Sequence, residues 1–244
     1  MKSLHERARE ELTHLADPQR ALRSKAYFKT PLKCLGVPKP EIDRLGKLLY
    51  KENVKQAGSP SMQALQHLWD AEIHELRTLA LVIAGLVIAK QKPCWGDCPF
   101  DKWLEDCHTW DHLDELCIRV IGPMRLYDSG LPDKENIWLQ SPNKWVRRAS
   151  LITHLPAIRK NKASYACIEQ CCKQLAPDED FFIRKAIGWV LREISKVRPE
   201  ITISIIQNIG HDLSPFSLKE GIRKLGERHL KMLEVSSSTT KLSR

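Results

Sequence analysis

The chain has 244 residues, 42% of them hydrophobic, which is enough to bury a sizeable core in one elongated domain or two small ones. Its longest apolar run, 79–89, falls well short of the roughly 18 residues that a membrane span needs. The charged N-terminus argues against a signal peptide, and eight cysteines are too few for a disulfide scaffold of this length. We therefore expect a soluble globular protein of a reducing, bacterial-type cytoplasm.

The net charge of +9 is unevenly distributed along the chain. Residues 1–56 carry 13 Lys and Arg against 7 Asp and Glu, residues 57–140 carry 7 against 13, and residues 141–231 carry 17 against 9. Two basic blocks thus flank an acidic centre. This pattern favours a polyanionic partner, because each phosphate that Lys or Arg contacts releases counterions. Ordinary solvated helix faces are the alternative explanation.

Helical periodicity runs through nearly the whole chain, and strand signals are scarce. We predict helices at 3–16, 18–28, 39–54, 60–91 with a break near Ala71, 99–107, 110–127, 134–140, 143–160, 163–176, 180–197, 199–209 and 215–231. Helix pairs recur about every 35–45 residues, which indicates an α-solenoid with a concave face. We expect one domain over 1–234 and a disordered tail over 235–244.

The segment 110–114 carries an acid on a half-apolar helix face. Trp110 and Asp114 lie one helical turn apart, and Cys117 and Ile121 continue the same stripe. Desolvation beside an aromatic ring disfavours a charged carboxylate, so Asp114 is a candidate functional acid. The alternatives are an Asp that caps a helix or forms an ion pair, and Asp111 is an equally good first-turn acid.

The segment 144–149 opens a long helix that contains a candidate functional arginine. Arg148 follows Trp145 by three residues and precedes Ile152 by four, so its stem can pack on apolar neighbours. Its guanidinium would then be held in place to clamp a phosphate or to keep Asp114 ionised. An exposed arginine of no consequence is the alternative.

The segment 180–196 has two distinct helix faces. One face is a core stripe of Ile183, Ile187, Val190 and Ile194. The other repeats Lys185, Trp189, Arg192 and Lys196 at the same spacing. Cations interleaved with an aromatic ring are the pattern expected against a sugar-phosphate backbone. Trp189 could instead pack against the next helical repeat.

These three segments, in this order, resemble the HEAT-like-repeat alkylpurine DNA glycosylases, the AlkD family. The resemblance extends over 26–29, 35–38, 69–75 and Arg77, and the segment 181–189 is its most diagnostic part. It implies an all-α solenoid of HEAT-like repeats, curved around double-stranded DNA with a concave basic groove. The implied activity is hydrolysis of the N-glycosidic bond of cationic N3- or N7-alkylated purines in base excision repair, without a base-flipping pocket.

The resemblance also assigns roles to individual residues. Asp114 matches the catalytic Asp, Trp110 and Trp189 match two sugar-contacting tryptophans, and Arg148 matches an essential Arg, all expected on the concave face. Tyr27 matches a backbone-contacting tyrosine. The expected DNA contacts are Tyr27, Lys29, Arg147, Lys185, Arg192 and Lys196. We expect no cofactor, no metal and no membrane contact, and a monomer that associates with the nucleoid through DNA.

Three other interpretations stay open. A catalytically silent relative could bind damaged or branched DNA, although the retained Asp114 and Arg148 argue for an enzyme. A helical-repeat scaffold could bind an acidic protein. A zinc site could be built from Cys94, Cys98, Cys107 and His108, although structural zinc sites usually have tighter paired spacing. Three further cysteines at helical spacing are expected to be core thiols: Cys167, Cys171 and Cys172.

Overall fold

The computed structural model describes residues 2–128 and 131–233, except for the side chains of 132 and 133. Within these residues the protein is all-α, as predicted, with one isolated backbone bridge between Lys33 and Ile73. No helix in this part of the chain is long and apolar enough to cross a membrane. The chain divides into two compact units, Met1–Leu131 and Pro132–Arg244. The expected tail, 235–244, lies outside the described residues, and the single domain and the solenoid stay predictions.

Unit 1 contains eight α-helices among the described residues. They are α1 Leu4–His14, α2 Pro18–Phe28, α3 Lys39–Ala57, α4 Met62–Trp69, α5 His74–Gln91, α6 Phe100–Glu105, α7 Trp110–Glu115 and α8 Gly122–Met124. Local sequence explains several boundaries. Ser3 and Glu6 form a capping box at α1, and Asp17 caps α2 ahead of Pro18 at the first helical position. The predicted break near Ala71 is confirmed between α4 and α5.

Helix α5 forms the centre of unit 1. It packs against α3 and α4, and the residues from His74 to Ala84 are all buried. A helix enclosed on most sides needs apolar residues around its whole circumference. This accounts for the apolar run that the sequence shows at 79–89.

The loop between α2 and α3 is fastened to the first turn of α5. The carboxylate of Glu75 accepts hydrogen bonds from the backbone N–H groups of Leu35 (2.9 Å) and Gly36 (2.7 Å). Gly36 has a φ of 83°, and a Cβ there would lie 2.2 Å from the carbonyl oxygen of Asp17. This position therefore requires glycine, and the clamp fixes the start of α2 beside α5.

Unit 2 contains the remaining helices. They are α9 Leu131–Leu139, α10 Lys144–Ile152, α11 Leu155–Arg159, α12 Tyr165–Leu175, α13 Phe181–Val197, α14 Pro199–Ile209, α15 Pro215–Ile222 and a helical segment over 227–233. The predicted core stripe of α13 is confirmed, because Ile183, Ile187, Val190 and Ile194 are all buried. Gly188 lets α15 approach α13, since a Cβ there would lie 2.8 Å from the Cβ of Glu220.

Two predicted helices were too long. The predicted 143–160 helix is interrupted by a turn at Thr153 and His154. Pro156 lacks the N–H that a continuous helix would need at that point. The predicted 215–231 helix ends at Ile222 and resumes at 227, after Gly226. Glycine lowers helix stability in such a position.

Candidate functional site

The candidate acid Asp114 lies on the last turn of α7. Its N-terminal neighbour on the same helix face, Trp110, is half-buried, and Asp114 itself is only 9% exposed. Cys117 and Ile121, which the sequence placed on the same stripe, are fully buried. The carboxylate thus sits at the edge of an apolar layer, where electrostatic interactions are stronger than in bulk water.

A π-helix begins immediately after this segment. It spans Leu116–Ile121 and joins α7 to α8 without a break in the helical path. Such π segments carry one extra residue per turn and are frequent at functional sites. The periodicity of the sequence gave no sign of it, because four of its six residues are buried much as they would be in an α-helix.

Aromatic rings from the end of α2 surround Trp110. The ring of Tyr27 meets Trp110 edge-on at a centroid distance of 6.2 Å, and Phe28 lies 5.9 Å away. Tyr27 is 69% exposed, so its ring extends the aromatic surface outward. Lys29 ends α2 in a left-handed conformation and is also exposed. The structure thus brings together Tyr27 and Trp110, which the sequence analysis had assigned to DNA contact separately.

Beneath these rings lies a polar cluster to which the sequence analysis gave no role. Asp111 accepts a hydrogen bond from Nε2 of His74 (2.7 Å), and the His74 ring stacks on Phe28 at 4.7 Å. Nε2–H of His112 donates to the carbonyl oxygen of His74 (3.1 Å) and lies 3.2 Å from the Thr78 hydroxyl. The sequence signal was present, since Asp111 and His112 adjoin Trp110, but their partner is 37 residues away in the chain.

The cluster shifts the pKa values of its members in defined directions. Burial raises the pKa of Asp111, but the hydrogen bond from His74 and the neighbouring imidazoles outweigh it, and the pKa falls to about 2. Burial lowers the pKa of His112 to about 3, and the adjacent His74 lowers it further. Asp111 is therefore a carboxylate and His112 a neutral base at pH 7. The hydrogen bond from His74 to Asp111 therefore holds the first turn of α7 against α5.

Two residues that resemble family positions are structural. Arg77 donates to the carbonyl oxygens of Trp69 (2.9 Å) and Asp106 (3.0 Å) and lies over the Trp69 ring. Glu75 clamps the loop after α2, as described above. Together they hold α2, α5 and the chain before α7 in register.

In unit 2, Arg148 is almost completely buried, with 2% of its surface exposed. Its Nη1 donates to the carbonyl oxygen of Phe182 at 2.5 Å, which links α10 to the first turn of α13. The ring of Phe182 in turn packs on Trp145 at 4.9 Å. The guanidinium is held in place between apolar neighbours, as the sequence spacing suggested.

The predicted cationic face of α13 is only partly available. Lys185 is exposed and lies near the ring of Phe181, and Trp189 is half-buried. Arg192 forms an ion pair with Glu220, and burial and the nearby Arg223 lower its pKa. Two other predicted cations are also paired. Lys196 pairs with Glu193 at 2.5 Å, and Arg147 pairs with Asp178 at 2.8 Å.

Helix α2 carries cations that the sequence analysis did not single out. None of its residues is buried, and four exposed cations lie on it or at its C-cap: Arg20, Arg23, Lys25 and Lys29. No ion pair within the described part of the chain involves them. The amphipathic pattern of a short helix does not reveal that none of its residues is fully buried.

The alternative zinc site of the sequence analysis does not assemble. Cys94 is exposed and Cys107 is buried, and no set of three potential ligands within 4.8 Å among the described residues includes them or Cys98 and His108. Two such sets occur elsewhere. They are His74, Asp111 and His112, and Glu135, His154 and Cys171.

Comparisons with known proteins agree with this architecture. No curated protein sequence matches the chain significantly. One solved structure, described as a predicted DNA alkylation repair enzyme from Enterococcus faecalis, is 26% identical, with a TM-score of 0.75 over 87% of this chain and 97% of that one. Residues 8–225 match the sequence profile of a family described as DNA alkylation repair enzyme. The chain therefore belongs to the DNA alkylation repair enzyme family.

Proposed function

We propose that this member of the family is a DNA glycosylase that hydrolyses the N-glycosidic bond of cationic N3- or N7-alkylated purines in duplex DNA. The observation that supports it most is the placement of Asp114. Asp114 is 9% exposed and lies one helical turn from Trp110, and a π-helix begins two residues after it. An acid in this setting can act on a developing positive charge with little screening by water.

Hydrolysis of this glycosidic bond requires little from the enzyme beyond stabilisation of charge. An alkylated purine already carries a positive charge, so the electron pair of the glycosidic bond moves into the ring and the base leaves neutral. Water adds its oxygen to C1′ and releases one proton, which leaves an abasic sugar. As the bond stretches, positive charge grows on the deoxyribose. A carboxylate about 4 Å away contributes about 4 kcal/mol at an effective dielectric near 20, or roughly a thousandfold in rate.

The same carboxylate can orient the attacking water. The rings of Trp110 and Trp189 are proposed to lie against the sugar and favour its cationic state. Arg148 is proposed as a positioning arginine, since its buried guanidinium is fixed between α10 and α13.

Binding of the duplex is proposed to be electrostatic and independent of sequence. Tyr27, Lys29 and Lys185 are exposed and can contact the backbone directly. The three cations already paired with carboxylates can contribute only by exchanging that partner for a phosphate: Arg147, Arg192 and Lys196. We also propose that the protein binds duplex DNA as a monomer and that it acts in the cytoplasm.

A non-catalytic protein that binds damaged or branched DNA is the second candidate. Incubation with a duplex that contains a single N7-methylguanine or N3-methyladenine separates the two. A glycosylase releases free base well above the spontaneous rate of the same duplex and leaves an abasic site. Tight binding with release at the spontaneous rate would contradict the proposed activity and support the non-catalytic binder.

A further inference from the structure

Unit 2 contains a buried cluster of three side chains that offer three different metal-ligand types. Glu135 lies on α9, His154 in the turn before α11, and Cys171 on α12. All three are at most 5% exposed. One ligand atom from each lies within 4.8 Å of the others. Helix α9, the turn between α10 and α11, and α12 thus direct a carboxylate, an imidazole and a thiol to one point.

The contacts within the cluster converge on one oxygen atom. Oε1 of Glu135 pairs with Nε2 of His154 and also lies 3.2 Å from the sulfur of Cys171, which donates to it. A thiol is a weak donor, so it adds little to the stability of a buried carboxylate. The next residue on the helix, Cys172, is equally buried but belongs to neither set of potential ligands in the described chain.

We propose that Glu135, His154 and Cys171 bind a zinc ion. Thiolate sulfur, imidazole nitrogen and carboxylate oxygen are its usual protein ligands, at about 2.0–2.3 Å. Coordination requires the Cys171 thiol to lose its proton to solvent. One thiolate and one carboxylate then balance the two positive charges of the ion. A neutral group of this kind suits a fully buried site, where an uncompensated charge would be costly.

The other set of potential ligands is less suited to a metal. In that set, Nε2–H of His112 already donates to a backbone carbonyl. A divalent ion there would meet one carboxylate and two neutral rings, which leaves a net positive charge in a largely buried place. No soft sulfur ligand is available in that set.

The zinc ion would connect α9, the turn before α11 and α12 through ligands that are widely separated in the sequence. Ligands at 135, 154 and 171 match no compact zinc motif, and the sequence analysis treated Cys171 as a core thiol. The inference is independent of the proposed glycosylase activity. It predicts a structural contribution to the stability of unit 2.

Elemental analysis of protein purified from zinc-supplemented cells tests the site. Wild type, Cys171→Ser and the matched control Cys172→Ser are dialysed extensively, and zinc per chain is measured. Serine keeps a donor for Glu135 but is a poor zinc ligand. We expect about one zinc per chain in wild type and in Cys172→Ser, and less than about a tenth of that in Cys171→Ser.

Thermal unfolding supplies the second readout. A strong chelator should lower the melting temperature of wild type and Cys172→Ser and leave that of Cys171→Ser unchanged, because an ion bound only by the folded state stabilises it. Cobalt in place of zinc should give a thiolate-to-metal absorption band that Cys171→Ser lacks. Glu135→Gln, which keeps a hydrogen-bond acceptor, serves if Cys171→Ser does not fold. Wild type without zinc, or zinc retained equally by these variants, would overturn the proposal.

Discussion

Helix α2 in unit 1 and helix α13 in unit 2 are both basic, but their charges are in different states. The cations of α2 are exposed, and none forms an ion pair within the described residues. On α13, Arg192 pairs with Glu220 and Lys196 with Glu193. The formal charge of a segment therefore overstates what it offers to DNA. An unpaired cation gains a phosphate, whereas a paired one must first give up a carboxylate.

Among these predictions, substitutions on α2 are expected to have the largest effect on the salt dependence of DNA binding. We expect the triple variant Arg20→Gln, Arg23→Gln and Lys25→Gln to flatten the slope of log affinity against log salt concentration by about 2.7, since each phosphate contact accounts for about 0.9. Between 50 and 200 mM salt this corresponds to about a 40-fold smaller loss of affinity. Fluorescence anisotropy with undamaged duplexes of two unrelated sequences measures it.

Helix α3 provides a matched control for this prediction. Lys47, Lys51 and Lys55 form an exposed stripe in the same unit, and their replacement by Gln removes the same charge. If this control flattens the slope as much as the α2 variant, binding depends on net charge alone. The difference in ion pairing between the cations of α2 and those of α13 would then not affect DNA binding.

The next effect concerns the buried polar cluster of unit 1, which keeps a base neutral by burial. Burial lowers the pKa of His112 to about 3, whereas histidine in the unfolded chain takes up a proton below about pH 6.5. The unfolded state therefore binds more protons in this window. The protein's free energy of unfolding should therefore fall by about 1.4 kcal/mol per pH unit as the pH is lowered from 6 to 4.

Urea titrations at pH 6, 5 and 4 measure this dependence. His112→Gln, which can still donate to the carbonyl of His74, should have a slope shallower by about that amount. The exposed His14→Gln is the control and should follow wild type. Equal slopes in all three proteins would show that His112 does not account for acid sensitivity.

A smaller effect is expected for the exposed lysine of α13. Lys185→Ala should reduce the salt slope by about 0.9, equivalent to about a 3.5-fold change between 50 and 200 mM salt. The reduction should be the same for any duplex sequence, because a backbone contact carries no sequence information. An unchanged slope would remove Lys185 from the DNA-binding surface.

The smallest effect on binding is expected for Arg192→Ala. Because its guanidinium is paired with Glu220 and partly buried, its loss should lower the melting temperature while the salt slope stays within about 0.3 of wild type. Glu220→Gln separates the two roles, since it frees Arg192 for phosphate. Tighter duplex binding by Glu220→Gln is the expected result. A large slope change in Arg192→Ala would erase the difference between α2 and α13.

Much of the fold could be predicted from local sequence. Capping residues and apolar periodicity located most helices, and the break before α5 was visible at Ala71. The π-helix was not predictable, because a single inserted residue barely disturbs a buried stripe over six residues. The interruption at His154 was missed because the helical pattern continues on both sides of it, although Pro156 was a usable signal.

The residues of the site were easier to predict from the sequence than the ion pairs that they form. Resemblance and helix spacing singled out Trp110 and Asp114 together, and the burial of Asp114 followed from its apolar stripe. Ion pairing was not predictable, because Glu220 lies 28 positions from Arg192 and Asp178 lies 31 from Arg147. Such partners depend on tertiary packing, and the same holds for His74 and Asp111.

The central claim is that Asp114 stabilises positive charge on the sugar, and Asp114→Asn tests it most directly. Its single-turnover rate of base release from an N7-methylguanine duplex should fall about 10²–10³-fold, because the lost interaction belongs to the transition state. Duplex affinity and melting temperature should stay close to wild type, and the exposed Glu105→Gln should match wild type in all three. A variant that releases base at the wild-type rate, or that loses binding and stability together, would contradict the claim.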